Sequence, residues 1–204
     1  MIAIVDYGVG NLFSLQSSFK RIGADAVVTS DETTLKNASK IILPGVGAFA
    51  DAIQKLKERN LDEFLKSQVK TGKYMMGICL GMQLLFDESH EYGVHQGLGL
   101  IQGRVIPMRG LIDEKLKVPH IGWNGLQFPK PHFLFKDVKE GDCAYFVHSY
   151  FATDCAENVI ATTEYDKILT ASVAKDNVLG CQFHPEKSGE VGLNILRAFC
   201  EAKD

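Results

Sequence analysis

The chain has 204 residues, 46% hydrophobic and 23% charged, values that suit one soluble globular domain (residues 1–204) with a sizeable core. Net charge is −3, from 22 basic against 25 acidic residues, so no basic field invites nucleic acid or an anionic membrane surface. No apolar run approaches the roughly 20 residues that span a bilayer, and the five cysteines form no CxxC pair, which argues against a disulfide framework and a zinc site.

The N-terminal MIAIVDYG lacks a basic region and a cleavage site, and Ile2–Asp6 reads as a first strand of a cytoplasmic protein. Leu12, Leu15, Phe19 and Ile22 recur at helical spacing, with Gly23 as the stop. Ala26–Thr29 and Lys40–Leu43 are the next strands, the latter closing on Pro44-Gly45-Val46-Gly47. Phe49, Ile53 and Leu56, then Leu61, Phe64, Leu65 and Val69, carry a helical pattern that Gly72 ends. Tyr74–Gly77 is a buried strand that runs through Ile78-Cys79-Leu80-Gly81 into an apolar helix, Met82–Phe86. Strands alternating with helices imply α/β architecture, a mostly parallel central sheet flanked by helices. Beyond it, Val105–Met108, Cys143–Tyr150, Val159–Thr163, Thr170–Ala174 and Val178–Phe183 follow as strands with turns between them. They predict an antiparallel β extension, and a last helix covers about residues 191–202.

Gly77-Ile78-Cys79-Leu80-Gly81 has the pattern of a nucleophile elbow. A cysteine among apolar neighbours is ordinarily a small core residue. Glycines two positions to either side, at a strand-to-helix junction, change that reading. They relieve a tight turn, aim the thiol out of the sheet and set it at a helix N-terminus, where the dipole favours thiolate. The N–H of Leu80 then points where an oxyanion would develop.

His184-Pro185-Glu186 follows a strand directly. In extended chain the histidine and glutamate share a face, so the carboxylate can bind one ring nitrogen and leave the other to serve Cys79 as base and acid. Pro44-Gly45-Val46-Gly47 is a weaker signal, a glycine loop able to supply a second oxyanion donor. Sharper readings fail elsewhere. Gly8-Val9-Gly10 begins a dinucleotide fingerprint but has Phe13 at the third glycine position, and His90 and His95 are five apart, not four.

These residues make the chain resemble the class I (triad-type) glutamine amidotransferases. Within that family it is most similar to the glutaminase subunits of imidazole glycerol phosphate synthases, through Asp6–Asn11, Leu43–Gly47, Gly77–Phe86, His120–Asn124, Phe146–Tyr150 and Gln182–Ser188. The resemblance implies a flavodoxin-like amidotransferase fold and a Cys79–His184–Glu186 triad hydrolysing L-glutamine. It implies substrate contacts at Gly47, Gln83, Ser149 and Tyr150, and oxyanion donors at Val46 and Leu80. A partner face would include Asn11, His120, Trp123 and Lys187. The implied partner is a (β/α)8-barrel cyclase that takes up the ammonia, with no cofactor and no metal in this chain. Alternatives are a paralogous glutaminase feeding a sugar amidotransferase, a triad hydrolase acting alone, and a silent docking protein.

Overall fold

The computed structural model describes residues 1–202. In chain order they form β1 (Ile2–Val5), α1 (Leu12–Arg21), β2 (Ala26–Thr29), α2 (Glu32–Asn37), β3 (Lys40–Gly45), α3 (Phe49–Glu58), α4 (Leu61–Lys70) and β4 (Tyr74–Cys79). Then come α5 (Leu80–Gln83), β5 (Phe86–Ser89), β6 (His95–Gln96), β7 (Ile101–Pro107), β8 (His120–Gly125), β9 (Cys143–His148) and β10 (Tyr150–Thr153). The chain closes with β11 (Val159–Tyr165), β12 (Lys167–Lys175), β13 (Val178–Cys181) and α6 (Gly189–Glu201).

Seven strands form the central sheet in the order β11-β12-β13-β4-β3-β1-β2. The five from β13 to β2 are parallel, and β12 and β11 add antiparallel at one edge. Strand residues of alternate parity feed two different cores, as a sheet covered on both faces requires. Ala3, Val5, Ile41 and Leu43 pack toward Phe49, Ile53, Leu56, Leu61 and Leu65 of α3 and α4. Ile2, Ile4, Ile42, Met76 and Ile78 pack toward Leu15 and Phe19 of α1 and Ile195, Leu196 and Phe199 of α6. Each such fully buried aliphatic or aromatic side chain contributes roughly 1.5–3 kcal/mol. The ends of β3, β4 and β13 meet on one edge of this sheet, beside the point where the strand order reverses, and ligands bind at that place in open α/β sheets.

Three expectations need correction. The helix predicted over Met82–Phe86 is the single turn α5, and Phe86 already starts β5. The carbonyls of Leu84, Leu85 and Phe86, which a longer helix would use, accept instead from Leu98, Leu100 and Gly99. The segment comes that close because Gly97 lacks a side chain: a Cβ there would lie 2.2 Å from the Phe86 oxygen. The strand predicted over Cys143–Tyr150 is two strands in two sheets. β9 pairs with β8, and after Ser149 β10 pairs with β7. The β extension is thus three pieces, the β11–β12 edge, the β8–β9 ribbon and the four-stranded sheet β10-β7-β5-β6. Finally, the strand predicted over Val178–Phe183 stops at Cys181, and Pro185–Lys187 is a 3₁₀ turn, not extended chain.

Candidate active site

Cys79 ends β4 with φ 54° and ψ −112°, a region that costs a side-chain-bearing residue on the order of 1–3 kcal/mol. The surrounding glycines hold it there. A Cβ on Gly77 would lie 2.5 Å from the Gly81 oxygen, and one on Gly81 would lie 1.9 Å from the Leu43 oxygen. The elbow is therefore pressed against β3 as well as turned tightly on itself. Leu80 opens α5, so its N–H has no acceptor within the helix. Because α5 is four residues long, its dipole is that of one turn, weaker than the predicted helix would give.

His184 and Glu186 meet despite the 3₁₀ turn. His184 Nδ1 lies 2.8 Å from Glu186 Oε1, and both side chains are almost wholly buried. Ser188 locks the turn, donating to the His184 carbonyl at 2.6 Å and accepting from Tyr145 N–H at 3.0 Å. Burial works against charge on His184, but the Cys79 sulfur and the Glu186 carboxylate overcome it and raise its pKa to about 10. Among the described residues, His184 Nε2 and Glu186 Oε2 have no hydrogen-bond partner. The ring nitrogen facing Cys79 is thus electrostatically engaged but geometrically free.

Cys79, His184, Val46, Gly47, Leu80, Gln83, Ser149 and Tyr150 all line one cavity of about 770 Å³. Three residues on or behind its wall were given no role by the sequence. Gln182, which follows β13, donates to Cys79 Sγ at 3.7 Å and accepts from Gln83 Nε2 at 2.9 Å, while Gln83 also donates to the Tyr150 carbonyl at 3.1 Å. Both amide hydrogens of Gln83 are therefore used inside the protein, and its oxygen has no donor among the described residues. Tyr7, fully buried, donates to the Pro44 carbonyl at 2.6 Å and so anchors the loop before Val46; burial, then the nearby Cys79, raises its pKa. Glu91 brings a carboxylate to the cavity wall, where it accepts from Phe49 N–H at 2.5 Å. Nothing in the sequence around Glu91 signals this, because a loop between small strands carries it there.

The residues expected on a partner face separate into two groups. Trp123 is 56% exposed, beside Ile121 at 59%, and Lys187 is exposed with its Nζ 5.7 Å above the Tyr145 ring. Asn11 is half-buried and caps α1, accepting from Ser14 N–H at 3.4 Å. His120 is fully buried and cannot itself touch a partner; strand alternation on β8 turns it inward while Ile121 and Trp123 face out. Among the described residues no group of three or more His, Cys, Asp or Glu is arranged to hold a metal ion, and no helix is long and apolar enough to cross a membrane.

A strained cysteine at a strand end, with a buried His–Glu pair behind it, is an arrangement suited to nucleophilic chemistry on an α/β sheet. The family model for class I glutamine amidotransferases matches residues 3–202, and the chain belongs to that family. Among curated proteins it is 48% identical over 202 residues to the imidazole glycerol phosphate synthase subunit HisH of Geobacillus thermodenitrificans, covering 98% of this chain and 94% of the relative. The HisH subunit of Sulfurimonas denitrificans is 48% identical over 206 residues, covering 100% and 99%. Among solved structures, a crystal structure of a glutamine amidotransferase superposes with a TM-score of 0.76 at 20% identity, covering 98% of each chain. The glutaminase domain of Trypanosoma brucei CTPS with bound acivicin reaches 0.63 at 15% identity, covering 100% of this chain and 94% of that one, and these two show the fold alone.

Proposed function

We propose that the chain is the glutaminase subunit of an imidazole glycerol phosphate synthase and hydrolyses L-glutamine through Cys79, His184 and Glu186. The observation that carries this reading is the His184–Glu186 pair, buried behind Cys79 with its Nε2 unpartnered at the wall of the cavity. Cys79 Sγ attacks the side-chain amide carbon of glutamine, and the thiol proton is held on His184 Nε2. The N–H groups of Leu80 and Val46 receive the developing oxyanion. When the C–N bond breaks, His184 returns the proton to the leaving ammonia, leaving a thioester on Cys79. Water then attacks that thioester with His184 as base, and glutamate departs as the thiol reforms. Glu186 keeps the ring in the tautomer that presents Nε2 and supports its charge. The Glu91 carboxylate suits the α-ammonium group of the substrate, and the free oxygen of Gln83 offers it a hydrogen-bond acceptor.

The ammonia passes to a (β/α)8-barrel cyclase, which uses it to form imidazole glycerol phosphate and an aminoimidazole carboxamide ribonucleotide. Exposed Ile121, Trp123 and Lys187 suit a docking face, because large apolar groups next to a cavity mark contact surfaces. Cys79→Ala tests the assignment in the two-subunit complex. Glutamine-dependent synthesis is lost while synthesis from added ammonium persists, since the acceptor site lies on the partner. Glutamine hydrolysis surviving in a clean Cys79→Ala preparation would overturn it.

A further inference from the structure

Behind the Tyr150 carbonyl runs a chain of polar groups that the triad mechanism does not use. His148 Nδ1 lies 2.8 Å from that carbonyl oxygen, and His148 Nε2 lies 3.1 Å from His120 Nδ1. His120 Nε2 in turn lies 2.8 Å from Asn124 Oδ1, and Asn124 Nδ2 donates to the Glu164 carbonyl at 3.0 Å. Both imidazoles are buried, His120 completely.

The chain begins and ends on a carbonyl oxygen, and neither end can donate. Its four links therefore need four protons from the groups between. The Asn124 amide supplies one, whichever way it is turned, because its other side is an oxygen. Two neutral imidazoles supply one each. The total is three, one short of the four links. With both rings neutral, one link would set lone pair against lone pair at 2.8–3.1 Å, where the two repel.

We infer that His120 and His148 together hold one extra proton, a cation shared across their 3.1 Å contact, and that the pair positions the Tyr150 carbonyl and through it Gln83. The surroundings fit such a charge. The His120 ring is sandwiched between Phe146, 5.2 Å away at 19°, and Tyr165, 4.1 Å away at 21°, and aromatic faces attract a cation. Burial opposes it, pressing His148 down to about 3 and His120 below its ordinary value. Against burial stands the spacing, since a chain short of one proton would open. Titratable groups face the pair from two neighbouring elements: Tyr165 of β11 stacks on His120, and His184 beyond β13 repels charge on His148. Glu164 contributes only its carbonyl, and its own residue is exposed. The proton count belongs to the pair and not to either ring alone.

The functional half rests on the glutaminase reading, because it assigns Gln83 and Tyr150 to the glutamine pocket; the proton count does not. Ring-nitrogen NMR of histidine-labelled chain at neutral pH, assigned with His120→Gln and His148→Gln, counts the protons without substrate. Three protonated ring nitrogens across the pair are expected, and two overturn the inference. Asn124→Leu removes the link that demands the third ring proton, so the count drops to two while His148 still donates to Tyr150. A count that stays at three in that variant also overturns it. In the two-subunit complex His148→Leu is expected to raise KM for glutamine roughly tenfold, the scale of one lost buried hydrogen bond, with kcat within about threefold. Unchanged KM, or a collapse of kcat alone, removes the positioning role. A chain that hydrolyses no glutamine at all would sink the glutaminase reading and leave the proton count to stand on the spectra.

Discussion

The two sides of the active site are built by different means. On the nucleophile side, Cys79 is placed by backbone against backbone: Gly77, Gly81 and Gly45 let β3, β4 and α5 approach so closely that a Cβ at any of them would come within 2.7 Å of a backbone atom. On the base side, the backbone of His184 is held by its N–H bond to the Tyr145 carbonyl, and the ring is oriented by side-chain hydrogen bonds, its Nδ1 to the Glu186 carboxylate and the Ser188 hydroxyl to the His184 carbonyl. The first kind of construction has no slack and no partial failure. The second degrades by degrees, because a lost hydrogen bond leaves a ring that still fills its site. Mutations on the two sides should therefore fail differently, one in the fold and the other in the rate.

Gly81→Ala gives the largest effect and tests the first half of that contrast. Its Cβ would meet the Leu43 oxygen at 1.9 Å, a backbone atom in the middle of the sheet that cannot swing aside. The expected cost is about 3 kcal/mol or more, the upper end for overpacking, with glutaminase activity lost. Denaturant unfolding measures it. A variant as stable as the wild type would show that the elbow can relax, and the contrast would collapse.

Glu186→Gln tests the second half and keeps the fold. It leaves the side chain's shape and removes a charge that holds the His184 pKa near 10, so that pKa falls toward what burial dictates. Positioned acid–base help is worth typically 10²–10⁴-fold, and the expected loss of glutamine turnover lies in about that range. Stability should change far less than in Gly81→Ala. A rate within twofold of wild type, with an unmoved His184 titration, would remove Glu186 as the orienter.

The same contrast explains what the sequence made legible. The elbow could be read because its constraint is local: glycines two residues either side of Cys79 announce a tight strand-to-helix turn. His184 and Glu186 were readable as a pair from their spacing, although the extended chain assumed for them is a 3₁₀ turn. The parallel half of the sheet followed from apolar runs separated by helical periodicity. Illegible parts depend on distant partners. Phe86 looked like a helix residue, and only the arrival of residues 97–101 at its carbonyls makes it a strand. Cys143–Tyr150 looked like one strand, and the switch at Ser149 is visible only when β8 and β7 claim its two halves. Gln182, Glu91 and Tyr7 reach the site through side-chain direction, which spacing along the chain does not encode. His120 was assigned to a partner face by its neighbours in sequence, whereas pleating sends it inward.

Lys187 carries the smallest intramolecular effect and sharpens the contrast at its edge. It sits one residue past Glu186, yet the 3₁₀ turn leaves it exposed, with its ammonium 5.7 Å above the Tyr145 ring. An exposed cation–π contact is worth roughly 0.5–1 kcal/mol, so Lys187→Ala should lower the stability of the isolated chain by no more than about 1 kcal/mol. Its larger consequence belongs to docking. Tyr145 also lies 5.7 Å from exposed Trp123, so Lys187 stands on the rim of the apolar face proposed for the partner subunit. If docking buries Lys187 against a carboxylate of the cyclase, losing it weakens the complex by roughly 2–5 kcal/mol; a rim pair left in water costs under about 1. Cys79 and His184 are untouched, so saturating partner should restore most of the glutamine-dependent rate. A titration of partner against wild type and Lys187→Ala reads affinity and plateau separately. Unchanged affinity would leave Lys187 an ordinary surface lysine. A plateau that collapses at full occupancy would instead tie Lys187, through Tyr145 and the Ser188 bond to its backbone, to the placement of His184.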